Sequence, residues 1–304
     1  RDMNEIIPRF NKQVTIPLMI DSTEWEVIEE SLKIISGRAI VNSINMEDGE
    51  ERMANVLPLC KKYGAAVIAL TIDEDGMAKT VEKKVEIAKR IYDLVTNKYG
   101  MRPEDLFFDT LTFTLGSGDE EFRGAGEATI ESIRRIKEEL PGVRTLLGVS
   151  NISFGLNPDA RHVLNSVFLH KAIEYGLDAA IVHASKIIPM YQISEEERKL
   201  GEDLIFDNRT DEYDPLTEMM AFYEDSEGSR RDVDEAADEA LPIEERLEKR
   251  IVDGRKQGLT DDLDEALKEY SPLHIINNFL LAGMKTVGEL FGAGEMQLPF
   301  VLQS

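Results

Sequence analysis

Four short polar residues stand where the chain leaves an apolar, β-branched run: Asp21, Asn42, Asp109 and Asn151. A carboxylate can accept two neighbouring N–H donors in one two-point contact, and such charge-assisted bonds are stronger than neutral ones. An amide side chain both donates and accepts. Two carboxylates and two amides together suit a heterocycle that presents an amino group beside a ring N–H. The residues make that set available and say no more. Asp, Asn and Ser at such places also serve as N-caps of the helix that follows. For any one position capping is the simpler reading. Five run ends share the habit, however: Asp21-Ser22-Thr23, Asn42-Ser43-Ile44-Asn45, Thr71-Ile72-Asp73-Glu74, Asp109-Thr110 and Ser150-Asn151. With so few His or Lys beside them, a neutral-to-acidic polar pocket is the better reading.

Other chemistries find little here. No Ser-His-Asp or Cys-His set stands out. The four histidines, His162, His170, His183 and His274, have no metal-ligand spacing. Each reads as a surface or packing residue, and His183 is the one to follow because it ends an apolar run. Cys60 is the only cysteine, which excludes a disulfide framework and a multi-cysteine zinc site and fits a reducing cytosol. The chain carries 59 acidic against 35 basic residues, a net charge of −24. Phosphate backbones need Lys and Arg clusters, so nucleic acid is not an expected partner. No apolar run approaches the ~18 residues that span a bilayer, so no membrane partner is expected and the reading is cytoplasmic.

The elements that must position the polar residues are legible as a repeat. Apolar runs at 14–20, 38–42, 66–71, 106–109, 145–150 and 179–183 alternate with amphipathic stretches such as 25–35 and 81–98. Near-continuous apolar strands separated by helices mean a parallel sheet covered by helices. Six such units are present and a closed (β/α)8 TIM barrel needs eight. The expectation is therefore a barrel lacking its first two strands, which would precede residue 1. The abrupt opening Arg1-Asp2-Met3, with 4–10 as the back half of a helix, and the abrupt close at 298–304 read as cuts. In such barrels the C-terminal strand ends build the active site. Residues 224–240 hold eight acidic residues and Val233 as the one large apolar residue, a solvated linker. Helix starts follow at Leu241-Pro242 and Ser271-Pro272. Leu273, Ile276, Leu280, Met284, Val287 and Phe291 then fall three and four apart, predicting one apolar helix face before Gly292-Ala293-Gly294 stops it. The expected domains are a barrel over 1–222, a linker over 223–240 and a partial helical bundle over 241–304.

Several stretches carry a family resemblance. Pro17-Leu-Met-Ile-Asp-Ser-Thr23, Arg38-Ala-Ile-Val-Asn-Ser-Ile-Asn45, Leu106-Phe-Phe-Asp109, Leu147-Gly-Val-Ser-Asn-Ile-Ser-Phe154, and 161–168 running on to Gly176-Leu-Asp-Ala-Ala180 resemble the folate module of the cobalamin-dependent methionine synthase family. The related methyltetrahydrofolate:corrinoid methyltransferases share these patterns. Residues 242–304, ending in Leu290-Phe-Gly-Ala-Gly-Glu-Met-Gln-Leu-Pro299, resemble the helical cap of that family's cobalamin module.

The resemblance implies a pterin-binding barrel that takes 5-methyltetrahydrofolate as substrate and passes its N5-methyl group to cob(I)alamin. It makes Asp21, Asn42 and Asp109 pterin ligands and brings Asn151 to N5, with Asp109 and Asn151 as the catalytic pair. Gly148 and Ser150 share the Asn151 loop, where Gly148 lets backbone approach the ligand. Arg161 is similar in place to an arginine lining the folate site. Phe291 and Leu298 are similar to the apolar residues that cover the upper corrin face. N5 is a poor leaving group as its anion, so transfer needs it protonated or strongly hydrogen-bonded near the transition state. No protein nucleophile is required. The resemblance also implies partners on the parent protein, a cobalamin module and a homocysteine module. Zinc would belong only to the latter, which needs three cysteines. The lower-axial-ligand motif Asp-x-His-x-x-Gly is absent, because none of the four histidines sits in one. Dihydropteroate synthase, a rival pterin barrel, is disfavoured because Ser150-Asn151-Ile152 stands where a Ser-Arg-Lys set belongs. The remaining alternatives are a stand-alone methyltetrahydrofolate:corrinoid protein methyltransferase and a non-catalytic corrinoid-binding module.

Overall fold

The computed structural model describes residues 2–223, 241–253 and 258–292. The chain divides into two compact units, Arg1–Tyr223 and Glu224–Ser304. In the first, strands β1 (Met19–Asp21), β2 (Ile40–Ile44), β3 (Ala66–Leu70), β6 (Leu106–Asp109), β7 (Arg144–Gly148) and β8 (Ala179–Ile181) form one parallel sheet, in the order β1-β2-β3-β6-β7-β8. A two-stranded hairpin, β4 (Ile72–Asp73) and β5 (Gly76–Met77), follows β3. The sheet curls into an open arc of a TIM barrel in which β1 and β8 are the two edges.

Register explains the arc's two faces. Ile20, Val41, Val67 and Leu106 align across four strands and are all buried. With Ala69, Phe108 and Leu147 they form the outer face, packed under helices. Burying each large apolar side chain contributes roughly 1.5–3 kcal/mol. The alternate residues face inward: Asp21 aligns with Asn42, Asn42 with Ile68, and Leu70 with Asp109. At the edges this inner face meets solvent, with Met19 and Ile181 exposed.

The covering helices are α1 (Asp2–Gln13), α2 (Trp25–Ile34), α3 (Glu51–Tyr63), α4 (Val81–Asp93), α5 (Ala125–Glu139), α6 (Pro158–Glu174), α7 (Glu195–Ile205) and α8 (residues 215–223). Local signals set their starts. Thr80 caps α4 by accepting from the Lys83 N–H, and Asn157 caps α6 by accepting from the Ala160 N–H, with Pro158 in the first turn. Ser194 and Glu197 form a capping box on α7.

Three expectations are corrected. The first strand begins at Met19, not Val14: Val14 still bonds back to the Phe10 carbonyl, and Pro17 has no N–H to give a ladder. Thr71 to Glu74 is not a polar strand mouth, because Thr71 and Asp73 are buried and the chain turns there into the β4–β5 hairpin. The third correction lies in the second unit, built from α9 (Ile243–Asp253), α10 (Leu259–Ala266), α11 (Pro272–Ile275) and α12 (Leu281–Gly292). A wide π-helical stretch, Ile276–Leu280, joins α11 to α12 and advances the phase by a residue. Ile275, Phe279 and Val287 are buried, with Leu247 and Ala266, whereas Leu273, Ile276 and Met284 are exposed. Among the described side chains the predicted single face does not form. Across α9 and α10, Asp262 is buried between Arg246 and Arg250. Among the described residues no helix is long and apolar enough to cross a membrane.

Candidate functional site

Asp109 is the last residue of β6, pointing to the inner face at the C-terminal end of the sheet. It borders an open cavity of about 340 Å³ shared with Gly148, Asn151 and Thr112, and walled by Met77, Leu111, Phe113, Thr114, Phe122 and Phe154. Phe113 and Phe122 stack at 5.3 Å, while Phe154 and Met77 form an exposed apolar rim. The Leu111 N–H donates to Asp109 Oδ1 at 2.8 Å. Burial pushes the Asp109 carboxyl up to about 6, opposed by the Leu111 N–H, the charge of Lys84 and the Gly148 N–H.

Asn151 is exposed on a 3-10 turn, Val149–Ser153, that leaves β7. Gly148, at the end of β7, is open on its side-chain side: a Cβ there would meet no heavy atom within 4 Å. Its missing side chain enlarges the cavity rather than relieving a clash. Ser150 does not line the cavity. Its carbonyl accepts from the Ser153 hydroxyl at 3.2 Å and from Arg161 Nη2 at 3.5 Å. Arg161 Nε also donates to Ser153 Oγ at 3.2 Å. The arginine therefore sits behind the turn as a brace and is not among the lining residues.

Asp21 and Asn42 form a second group on the same inner face and at the same end. Asn42 Nδ2 donates to Asp21 Oδ2 at 3.3 Å. A cis peptide joins Asn42 to Ser43, where the β2–β3 register shifts. Neither residue lines the 340 Å³ cavity, so the structure gathers Asp109, Gly148 and Asn151 at one place and Asp21 with Asn42 at another, across β3. His183 lies apart from both, exposed, with Nδ1 3.0 Å from Ser185 Oγ. Phe291 falls in α12 with its side chain outside the described residues, and Leu298 lies wholly outside them.

Two cations missed at the level of sequence hold the loops that carry these groups. Arg52 on α3 donates to the carbonyls of Ser22, Thr23 and Ser43, the residues just after Asp21 and Asn42. Burial lowers its pKa, opposed by Glu24. Lys84 on α4 is completely buried and donates to the carbonyls of Thr110 and Leu111, just after Asp109. Its ammonium lies 5.1 Å from the Phe113 ring centroid. Burial pulls Lys84 down to about 7, opposed by Asp109. A signal for Lys84 exists: it stands on the buried stripe Lys84, Ala88, Ile91, Val95, three to four residues apart. A lysine on an apolar stripe needs a polar partner inside. Arg52 offers no such sign.

The family described as Pterin binding enzyme matches residues 1–183, and that described as B12 binding domain matches residues 243–304. The methionine synthase of Mycobacterium tuberculosis is 53% identical over all of this chain, and that of Mycobacterium leprae 52%. In each case the match takes in 26% of the relative, so the chain spans about a quarter of their length. The solved Yersinia pestis DHPS with a pterine-sulfa conjugate superposes with a TM-score of 0.42 at 15% identity, over 68% of this chain and 75% of that one.

Proposed function

The chain belongs to the pterin binding enzyme family, and on that premise we propose that it binds 5-methyltetrahydrofolate and passes the N5-methyl group to cob(I)alamin, as one part of a cobalamin-dependent methionine synthase. The observation that carries the reading is the cavity in which Asp109, Gly148 and Asn151 meet beneath aromatic walls. In this reading residues 1–222 are the folate module, 223–240 a linker, and 241–304 the start of a cobalamin module. The cobalamin and homocysteine modules of the parent protein are its partners.

The Asp109 carboxylate accepts the paired N–H donors of the pterin, with its own aim fixed by the Leu111 N–H. The open space at Gly148 leaves room for the ring to lie against backbone. Asn151 orients a hydrogen bond at N5, which strengthens as the bond to the methyl group breaks and charge develops there. Asp21 and Asn42, on the same inner face across β3, supply further polar contacts to the pterin ring. Arg161 keeps the Asn151 turn in place. The exposed apolar rim of Met77 and Phe154 fits a flat macrocycle brought to the cavity mouth. A reduced corrin, when bound, supplies the nucleophile that receives the methyl group. Phe291 and Leu298 are assigned to its upper face.

Calorimetry with 5-methyltetrahydrofolate, and transfer to added cob(I)alamin followed by absorbance, test the reading. Asn151→Ala should slow transfer by about a hundredfold, with affinity changed only a few-fold, because its bond matters most in the transition state. Asp109→Asn should mainly weaken binding, by about tenfold or more. Failure of the wild-type protein to bind the folate would sink the proposal. Loss of affinity with unchanged transfer in Asn151→Ala would make Asn151 a plain ligand.

A further inference from the structure

Lys84 is placed where an apolar side chain would pack without cost, since a buried ammonium loses its hydration. What offsets that loss is specific. Its Nζ donates to the Thr110 carbonyl and, at 3.2 Å, to the Leu111 carbonyl, and it faces the Phe113 ring. Leu111 has φ +62°, the left-handed region that a non-glycine residue adopts only when held. The holding groups are Lys84 and Thr129, whose hydroxyl donates to the same Leu111 carbonyl at 2.9 Å. In that conformation the Leu111 N–H turns back to Asp109 Oδ1.

We propose that Lys84 is a positioning residue for Asp109: it grips the left-handed turn that aims the carboxylate, and it sets an ammonium in the carbonyl nest directly after it. A donor-edged heterocycle then meets an acceptor both aimed and charged. The inference rests on the folate reading for the identity of the ligand and on the bonds of Lys84 to the Thr110 and Leu111 carbonyls for the positioning.

The charges around this nest are accounted for. From α5 comes the uncharged Thr129, and from the end of β7 the Gly148 N–H. On α4, Lys83 faces Asp73, Asp75 and Glu86, Arg90 faces Asp73 and Glu74, and Glu82 faces Arg135. Lys84 and Asp109 are therefore the two titrating partners. The sign follows. Burial raises the Asp109 carboxyl to about 6 and Lys84 restrains that rise, so the charged acceptor is lost as pH falls through about 6. Without Lys84 it is lost at higher pH.

The test uses the intact protein with 5-methyltetrahydrofolate as probe. Affinity is measured from pH 5 to 8.5 for wild type, Lys84→Gln and Lys84→Arg, and the Asp109 carboxyl carbon is followed by NMR without ligand. Lys84→Gln, which keeps a donor and loses the charge, should move both midpoints up by about one pH unit and weaken binding about tenfold near pH 6. Lys84→Arg should restore the wild-type midpoints. Unmoved midpoints in Lys84→Gln would overturn the proposal, while wild-type protein that titrates as expected yet binds no folate would overturn the folate reading instead. A check on the wild type stands even if both variants fail to fold. The Asp109 carboxyl carbon should titrate near 6 and show a second step as Lys84 titrates near 7; a curve blind to the lysine would defeat the pairing.

Discussion

Gly148 and Gly116 are two glycines of opposite meaning beside one cavity. At Gly148, φ is −80° and a Cβ would meet nothing within 4 Å, so Gly148→Ala should leave the melting temperature unchanged or slightly raised. The methyl group would enter space assigned to the ligand, and folate affinity should fall about tenfold, ~1.4 kcal/mol, by calorimetry. At Gly116 a Cβ would lie 2.6 Å from the Phe154 carbonyl, so Gly116→Ala should destabilise the fold by roughly 1–3 kcal/mol in urea unfolding. Equal effects of the two substitutions on stability would contradict this division. At this scale the sequence is a partial guide. Asp109 and Asn151 declare themselves because polar residues follow apolar runs. Arg52 does not, since its role lies in three carbonyls contributed by two distant loops, and carbonyls are common to every residue.

The six principal strands are legible because each is a β-branched or otherwise apolar run bounded by polar residues, and burial of the outer face leaves that pattern little freedom. The β4–β5 hairpin is not, because two-residue strands carry no periodicity. The α11–α12 junction misleads for a different reason. Helical spacing assumes 3.6 residues per turn, and the π stretch at Ile276–Leu280 adds one residue to a turn. The end of the sheet remote from the cavity carries its own fastening. Asp178 Oδ2 accepts from the Thr145 N–H and from Lys137 Nζ, both at 2.8 Å. Asp178→Ala leaves the Thr145 N–H without that partner and should cost about 1–3 kcal/mol in urea unfolding. Folate affinity should stay within a factor of about two, because β7 presents Gly148 and Asn151 from its other end. A large affinity loss would show that the two ends are coupled.

At the scale of the molecule, a net charge of −24 sets the response to salt. Self-repulsion of a folded polyanion is screened over ~8–10 Å near physiological ionic strength. Raising NaCl from 0.05 to 0.5 M should therefore raise the melting temperature by roughly 2–5 °C. A flat or falling curve would mean that surface pairs such as Arg134 with Glu131 and Glu138 outweigh the net repulsion. The open arc has a further consequence, visible in hydrogen exchange. Amides of β3 and β6, with neighbours on both sides, should exchange only through global opening, whereas β1, which among the described residues pairs with β2 alone, can open by itself. Asp21 rides on β1 and Asp109 on β6. A ligand spanning both would rest against one stiff jaw and one compliant jaw, tied to its neighbouring loop by Arg52. Binding should then slow exchange far more on β1 and β2 than on β6, and the loops after Asp21 and Asn42 should gain protection together, as one hinged piece.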